Sequence, residues 1–251
     1  MDHFAAQRQR LHTLFGVFFA PEVIAALLAL ARPAVRLGAE GETTVRLGGD
    51  PLLPPGEPWP MWQDRPLDFL AAVDFSALPD VPGLPTEGRA AFYYCAGGPS
   101  RPWGDEPGDH EGWRVFTGDL VETPLPEGAK TPPACKLGAE LFLSLPSPQE
   151  QAMSDLEETY SGTLSVYEQL HAAWLQHVWP DDTPVHQLGG WPVLVDSPQS
   201  HPAPDPAEDL RLVLQLDSDR RLNWHWGDPG RVFFHTHQDA PLESAHLTLQ
   251  S

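Results

Sequence analysis

The sequence predicts an α+β fold in which an internal duplication produces two pseudo-symmetric halves, each a helix with an antiparallel sheet, packed as one compact protein. Strand-like segments outnumber helical ones and are separated by short turns, which favours antiparallel pairing. Three patterns recur in the same order at an offset of 141 to 143 residues: Leu-Gly-Gly-x-Pro-apolar-Leu at 47–53 and 188–194, an apolar run ending in Asp at 67–74 and 210–217, and Gly-Arg-apolar at 88–92 and 230–234.

The first half begins with two predicted helices, at 2–15 and at 21–32. Gly16 separates them, and Pro21 suits the first turn of the second helix, which is so apolar that we expect it to be buried. Residues 35–47 predict one or two strands with a turn at Glu40-Gly41, and the first Gly-Gly-x-Pro corner follows. Further strands are expected at 67–75, 89–95, 113–117 and 140–145.

The second half begins with a predicted helix at 149–178, interrupted near Gly162. Its acidic residues come early and its histidines late, as the helix dipole favours. The second corner lies within 185–195. We expect a buried strand at 210–216, a hairpin between 223–226 and 231–237 around Gly227-Asp228-Pro229-Gly230, and a last strand at 245–249.

These elements divide the chain into four segments that we expect to pack as one domain. They are an N-terminal helix (1–19), a first repeat (20–118), a connecting segment (119–148) and a second repeat (149–251). Each repeat has about 100 residues, a size that can fold as a unit.

The composition is acidic, with 35 Asp and Glu against 15 Lys and Arg and a net charge of −20. Such a surface repels nucleic acid and anionic lipid, whose binding depends on neutralised phosphates, and it suits a basic protein partner. Cys95 and Cys135 form no Cys-x-x-Cys pair and are interpreted as reduced thiols. The apolar stretch at 14–31 is broken by Pro21 and Glu22, so it predicts neither a signal peptide nor a membrane span. We expect a cytoplasmic protein without a cofactor.

The Gly-Gly-x-Pro corners have two interpretations. Glycine-rich turns can cradle phosphate, but neither corner has the Gly-x-Gly-x-x-Gly spacing or a following Lys-Ser/Thr. Two glycines that permit positive φ, followed by a rigid proline, favour a structural corner.

Asp74 and Asp217 end equivalent buried strands. Brought together across a pseudo-dyad, the two carboxylates could perform acid–base chemistry or bind a metal. The favoured alternative is that each accepts hydrogen bonds from backbone N–H groups in the following turn.

The second repeat carries the better candidate surface, because the first lacks its aromatic residues. Asp217, Asp219 and Asp228 stand beside Trp224, His225 and Trp226, and Trp191 occupies the corner position that Asp50 has in the first repeat. The carboxylates would suit Ca²⁺ or Mg²⁺, although the same sequences are ordinary turns.

Three histidines form a further candidate site. His235 and His237 share one face of a strand, and with His225 across the hairpin they could bind zinc, although exposed strand histidines are the favoured interpretation. The sequence contains no Gly-x-Ser-x-Gly elbow, no His-Glu-x-x-His motif and no cysteine with an evident histidine partner, which weighs against an enzyme.

Several of these segments resemble the YwqG-like family of bacterial proteins. The similarity lies in residues 47–59, 66–79, 186–192, 214–219 and 226–234, with one departure, Asp196, where the family has Gln. The resemblance implies a duplicated α+β fold with antiparallel sheets and an unknown function. Some family members lie beside secreted-toxin genes, which implies an immunity or partner-binding role.

The leading functional hypothesis is a non-enzymatic binding protein that presents an acidic face with tryptophans to a basic protein such as a toxin; Trp59, Trp62 and Trp103 are the tryptophans expected to be exposed in loops. The alternative is a metal-dependent or acid–base enzyme with a carboxylate site between the repeats, near Asp74, Asp217 and Asp228. A scaffold without a binding cleft is the third hypothesis.

Overall fold

The computed structural model describes residues 3–38, 45–97, 101–104, 106, 108–180, 183–195 and 210–251. Four α-helices lie within these ranges: α1 (Ala5–Phe15), α2 (Pro21–Leu30), α3 (Gln151–Thr159) and α4 (Thr163–Val178). None of the described helices combines the length and the apolar character that a membrane span needs.

The described strands pair antiparallel throughout, which confirms the predicted α+β class and pairing. In chain order they are β1 (Arg32–Leu37), β2 (Val45–Leu47), β3 (Leu52–Leu53), β4 (Met61–Trp62), β5 (Arg65–Pro66), β6 (Asp68–Asp74), β7 (Arg89–Tyr94), β8 (Trp113–Thr117), β9 (Val121–Glu122), β10 (Cys135–Leu137), β11 (Ala139–Ser144), β12 (His186–Leu188), β13 (Leu210–Asp217), β14 (Arg231–His237) and β15 (His246–Gln250).

Two main sheets pack face to face. The six-stranded sheet has the order β11-β1-β12-β13-β14-β15, and the five-stranded sheet has the order β10-β2-β6-β7-β8. Apolar side chains from both sheets form one central core, in which the rings of Phe92 and Phe234 meet at 5.1 Å. Burial of this shared apolar surface holds the two sheets together.

Helices cover the outer side of the six-stranded sheet. A second core joins Leu11 and Phe15 of α1, Leu27 of α2 and Trp174 of α4 to Phe142 of β11. Gln7 fixes α1 to the sheet edge, because its side chain donates to the carbonyl of Leu141 (3.0 Å) and accepts from the amide of Leu143 (2.7 Å). On the outer side of the five-stranded sheet, loops pack on a third core around Tyr93.

The predicted break at Gly162 separates α3 from α4. Gly162 has φ 86°, a conformation that costs glycine little, and it precedes the first turn of α4. The Glu157 carboxylate accepts hydrogen bonds from the amides of Gly162 (2.6 Å) and Leu164 (2.7 Å). These bonds satisfy two N–H groups at the start of α4, and they hold the pKa of Glu157 below its usual range.

One prediction of strand pairing requires correction. Residues 223–226 form no strand, and β14 pairs with β13 and β15 instead. The backbone at 223–226 is not extended, because Asn223 adopts φ 54° and the side chains of Trp224 and Trp226 both turn into the core. It therefore cannot form the strand that the predicted hairpin needs. Where one or two strands were expected within 35–47 the structure has two, and they join different sheets: β1 joins the six-stranded sheet and β2 the five-stranded sheet. The expected turn at Glu40-Gly41 lies outside the described residues, as does Asp196.

The central strands of the two sheets correspond in order and in their irregularities. Strands β2, β6, β7 and β8 lie side by side in one sheet, as β12, β13, β14 and β15 do in the other. The register shifts between Phe69 and Ala71 in β6, and between Leu212 and Leu214 in β13. At each shift the carbonyl of the intervening residue, Leu70 or Val213, accepts a hydrogen bond from the first glycine of a corner.

The Gly-Gly-x-Pro corners are structural. All four glycines have φ between 63° and 77°. Arg46 donates to the carbonyls of Gly48 and Asp50, and Gln187 donates to those of Gly189 and Trp191, so each corner is held by the side chain two residues before its first glycine.

Candidate functional site

An open cleft of about 740 Å³ lies at the turn that joins β13 to β14. Residues of the 217–231 turn form most of its wall, and Leu37, Gly38, Thr183 and Pro184 complete it. We refer to it as the 217–231 cleft. Five of the candidate binding residues predicted from the sequence line it, namely Asp217, Asp219, Trp224, His225 and Asp228.

Asp219 anchors the turn through a buried network. Backbone Asp217 N–H donates to Nδ1 of His186 (3.0 Å), so the remaining ring nitrogen, Nε2, carries the hydrogen that faces Oδ2 of Asp219 (3.1 Å). Arg221 donates to the same carboxylate from its amide (2.9 Å), Nε (3.1 Å) and Nη2 (2.7 Å). Burial alone would raise the pKa of Asp219, but these hydrogen bonds outweigh it and hold the pKa well below its usual range.

Asp217 and Ser218 tie the ends of the turn together. The Asp217 carboxylate accepts from the amides of Ser218 (2.9 Å) and Val185 (2.8 Å), and it lies 3.6 Å from Nε of Arg231. The Ser218 hydroxyl donates to the carbonyl of Gly227 (3.0 Å) and accepts from the amide of Trp226 (3.0 Å). The floor of the cleft is therefore fixed by hydrogen bonds within the protein.

Asp74, which ends β6 as Asp217 ends β13, is not part of the cleft wall. Its Oδ1 accepts hydrogen bonds from the amide (3.1 Å) and the hydroxyl (2.5 Å) of Ser76. Both strand-ending carboxylates are thus occupied by turn donors, which is the favoured interpretation of these residues.

The tryptophans of the candidate surface are mostly core residues. Only 8% of Trp224 and 2% of Trp226 is exposed, and their rings lie 5.5 Å apart. The Trp226 ring reaches Tyr94 of the facing sheet at 6.0 Å. The polar turn around them suggested a loop surface in the sequence, but the two aromatic rings fill the end of the central core.

The expectation that Trp59, Trp62 and Trp103 are exposed requires correction. Trp62 is 4% exposed and donates to the carbonyl of Gly108 (3.2 Å), and Trp59 and Trp103 are half-buried. Trp191 lies outside the cleft wall, where it donates to the carbonyl of Leu30 (2.7 Å) with the Arg32 guanidinium 3.5 Å from its ring centre. Each ring is held by neighbours in the fold.

The histidines do not form the three-residue zinc site. Across the described ranges, no group of three His, Cys, Asp or Glu side chains is placed to hold a metal ion. His235 is buried opposite His246 of β15, whereas His237 is exposed, which corrects the expectation that both strand histidines are exposed. Burial, with the neighbouring His246, lowers the pKa of His235 to about 3. Cys95 and Cys135 form no disulfide bond, as predicted.

Three polar side chains of the cleft have no role in holding the turn. Arg220, His225 and Asp228 are exposed, and within the described part of the chain their side chains make no hydrogen bond or ion pair. One guanidinium, one imidazole and one carboxylate are therefore available to a ligand.

The sequence interpretation missed His186, Arg220, Arg221 and Arg231. A signal for His186 was present, because the predicted duplication aligns it with Val45, and a residue that the two aligned segments do not share is a better candidate. The arginines carried a weaker signal: Arg220 and Arg221 are adjacent in a chain that has only 15 basic residues.

The fold and the cleft together define an α+β protein of two packed antiparallel sheets with an open polar cleft at the end of the second. The chain belongs to the DUF1963 family, a domain of unknown function, whose family model matches residues 45–243. That range includes the whole 217–231 turn. Comparison with curated proteins finds no match for the chain.

Proposed function

We propose that the protein is a non-enzymatic binding protein that engages a basic protein partner through the 217–231 cleft. One observation carries this proposal. The cleft groups that hold the turn are already paired, whereas Arg220, His225 and Asp228 are exposed and have no partner among the described residues. A rigid cleft floor with exposed polar groups at its surface suits recognition, because binding then immobilises few further side chains and costs little conformational entropy.

The charge of the chain supports a basic partner. A net charge of −20 accelerates encounters with a positive protein and disfavours nucleic acid. Within the cleft, the Asp228 carboxylate would pair with a Lys or Arg side chain of the partner. Arg220 and His225 would donate hydrogen bonds to its backbone carbonyls.

We also propose that the chain is a YwqG-like member of its family and that its partner-binding role is of the toxin-immunity type. The support is the set of motifs at 186–192, 214–219 and 226–234. The last two include half of the residues that line the cleft. An acidic protein that covers the basic surface of a toxin would block it by occupying the surface that the toxin uses.

We further propose that the two sheets descend from one duplicated unit. Support comes from the common strand order, the equivalent register shifts, and the hydrogen bond from each corner glycine to the residue at the shift. Arg46 and Gln187 also bond the carbonyls two and four residues further on, although their side chains differ.

Affinity capture from a lysate of the native host tests the proposed function. Wild-type protein should retain a basic protein at low salt and release it at high salt. Asp228→Lys should lose that capture. Glu168→Lys on α4, which makes the same charge change outside the cleft wall, should keep it. Capture that is absent, insensitive to salt, or lost equally in both variants would overturn the proposal.

A further inference from the structure

One face of α1 and the turn after it carries exposed apolar side chains with a basic rim. Val17 is 75% exposed and Phe18 is 61% exposed, higher fractions than for any other large apolar side chain of the described residues. A groove of about 490 Å³ on the same helix is lined by Ala6, Gln9, Arg10, Thr13 and Leu14. We call Arg10, Leu14, Val17 and Phe18, with this groove, the α1 face.

The α1 face differs in charge from the rest of the chain. Residues 3–21 contain Arg8, Arg10 and two histidines but no acidic residue, in a chain with 35 acidic residues. Arg10 contacts His177 (2.9 Å) and stays exposed. The natural complement of this face is therefore an acidic surface that also carries apolar side chains.

The chain provides such a surface at residues 119–127. Val121 and Leu125 are exposed there, and the same segment exposes Asp119, Glu122 and Glu127 without a basic residue. The α1 face and the 119–127 segment together hold four of the five large apolar side chains that are exposed in the described parts of the chain.

The two surfaces cannot meet within one molecule. The α1 helix packs on the outer side of the six-stranded sheet, with Leu11 and Phe15 against Phe142. Leu120 anchors the 119–127 segment to the core on the outer side of the five-stranded sheet, with Leu53 and Tyr93. Both sheets lie between the two surfaces, so the α1 face of one molecule can contact the 119–127 segment only of another molecule.

We propose that the α1 face docks onto the 119–127 segment of a second copy of this chain, giving head-to-tail association. Arg10 pairs with the acidic side chains around Glu122, and Val17 and Phe18 pack on Val121 and Leu125. Because the two surfaces differ, the contact is heterologous and can repeat along a row of molecules. This inference does not depend on the 217–231 cleft.

Sedimentation velocity over a wide range of protein concentration tests the proposal at physiological ionic strength, where the long-range repulsion between acidic copies is screened. The mass of the wild type should rise above that of a monomer as concentration increases. Arg10→Glu and Glu122→Arg should each weaken association at least about tenfold, which corresponds to about 1.4 kcal/mol. The matched control Glu168→Arg, on the exposed side of α4, should associate as the wild type does.

Mixing the two charge-reversed variants makes the test specific. The altered α1 face of the Arg10→Glu variant is complementary to the altered segment of the Glu122→Arg variant, and their unaltered surfaces also remain complementary. The equimolar mixture should therefore regain association that neither variant shows alone, and the recovery also shows that both variants are folded. A wild type that is monomeric at every concentration, single variants that associate normally, or a mixture that stays monomeric would each overturn the proposal.

Discussion

Nε2 of His186 lies 3.1 Å from Oδ2 of Asp219, and both side chains are buried. This contact joins β12 to the turn that follows β13, and Arg221 closes over the same carboxylate from the cleft side. The relationship explains why Asp219, the central acidic residue of the turn sequence, is not free to bind a ligand. The contact between His186 and Asp219 instead fixes the position of the exposed residues that follow Asp219 in the turn.

Replacement of Asp219 by Ala should destabilise the protein by about 3 kcal/mol, because His186 and the amide of Arg221 lose their acceptor in a buried site. Urea unfolding measures the change. Asp228→Ala is the matched control, since that carboxylate is exposed and has no partner within the described ranges, and it should change stability by less than about 0.5 kcal/mol. Equal effects of the two substitutions would contradict the structural role of Asp219.

His235 should make the folded state sensitive to mild acid. Burial, with His246, lowers its pKa to about 3, so below about pH 6.5 the unfolded chain takes up a proton that the folded chain does not. Stability is fully present above about pH 6.5 and falls by about 1.4 kcal/mol per pH unit towards the folded pKa. His171, with a pKa lowered to about 4 by burial, adds a parallel loss in every variant that keeps it.

His235→Phe should remove the loss of stability that His235 causes below about pH 6.5. Denaturant unfolding at about pH 7 and about pH 5 should show the wild type losing about 2 kcal/mol more than the variant. The same pH dependence in both proteins would show that His235 is accessible to protons in the folded state.

Gly190→Ala should destabilise the second corner more than backbone strain alone can. A Cβ there would lie 2.3 Å from Oγ of Ser144 and 2.7 Å from Cβ of Ala34, at φ 71°. We expect a loss of about 3 kcal/mol, from strain together with overpacking. Gly88→Ala isolates the strain, because φ there is 87° with no atom within 4 Å of the new Cβ, and it should cost about 1 kcal/mol. Thermal unfolding of both variants provides the comparison.

The local elements were predictable where one sequence signal dominated. Mainly apolar runs placed β6 and β13 within two residues of their observed bounds, and Gly162 marked the break between α3 and α4. The two glycines before proline identified both corners, since few other residues adopt positive φ at such low cost.

Long-range relationships were less predictable. Nothing local indicates that β1 pairs with β11 and β12 and not with β2, because that choice depends on strands that are distant in sequence. The same limit applies to Trp224 and Trp226, whose neighbours along the chain are polar while their rings fill a core built from distant strands. The acidic residues of the cleft could be predicted because they lie close together in the sequence. His186 could not be linked to them in the same way, because it is more than thirty residues from Asp219.

Site-specific photo-crosslinking in the native host tests the central claim, that the 217–231 cleft binds a basic protein. A benzophenone side chain placed at Arg220 or His225 should yield an adduct with a basic protein, and the same group at Glu168 on α4 should not. The claim would be contradicted if neither cleft position gave an adduct, or if Glu168 gave the same adduct.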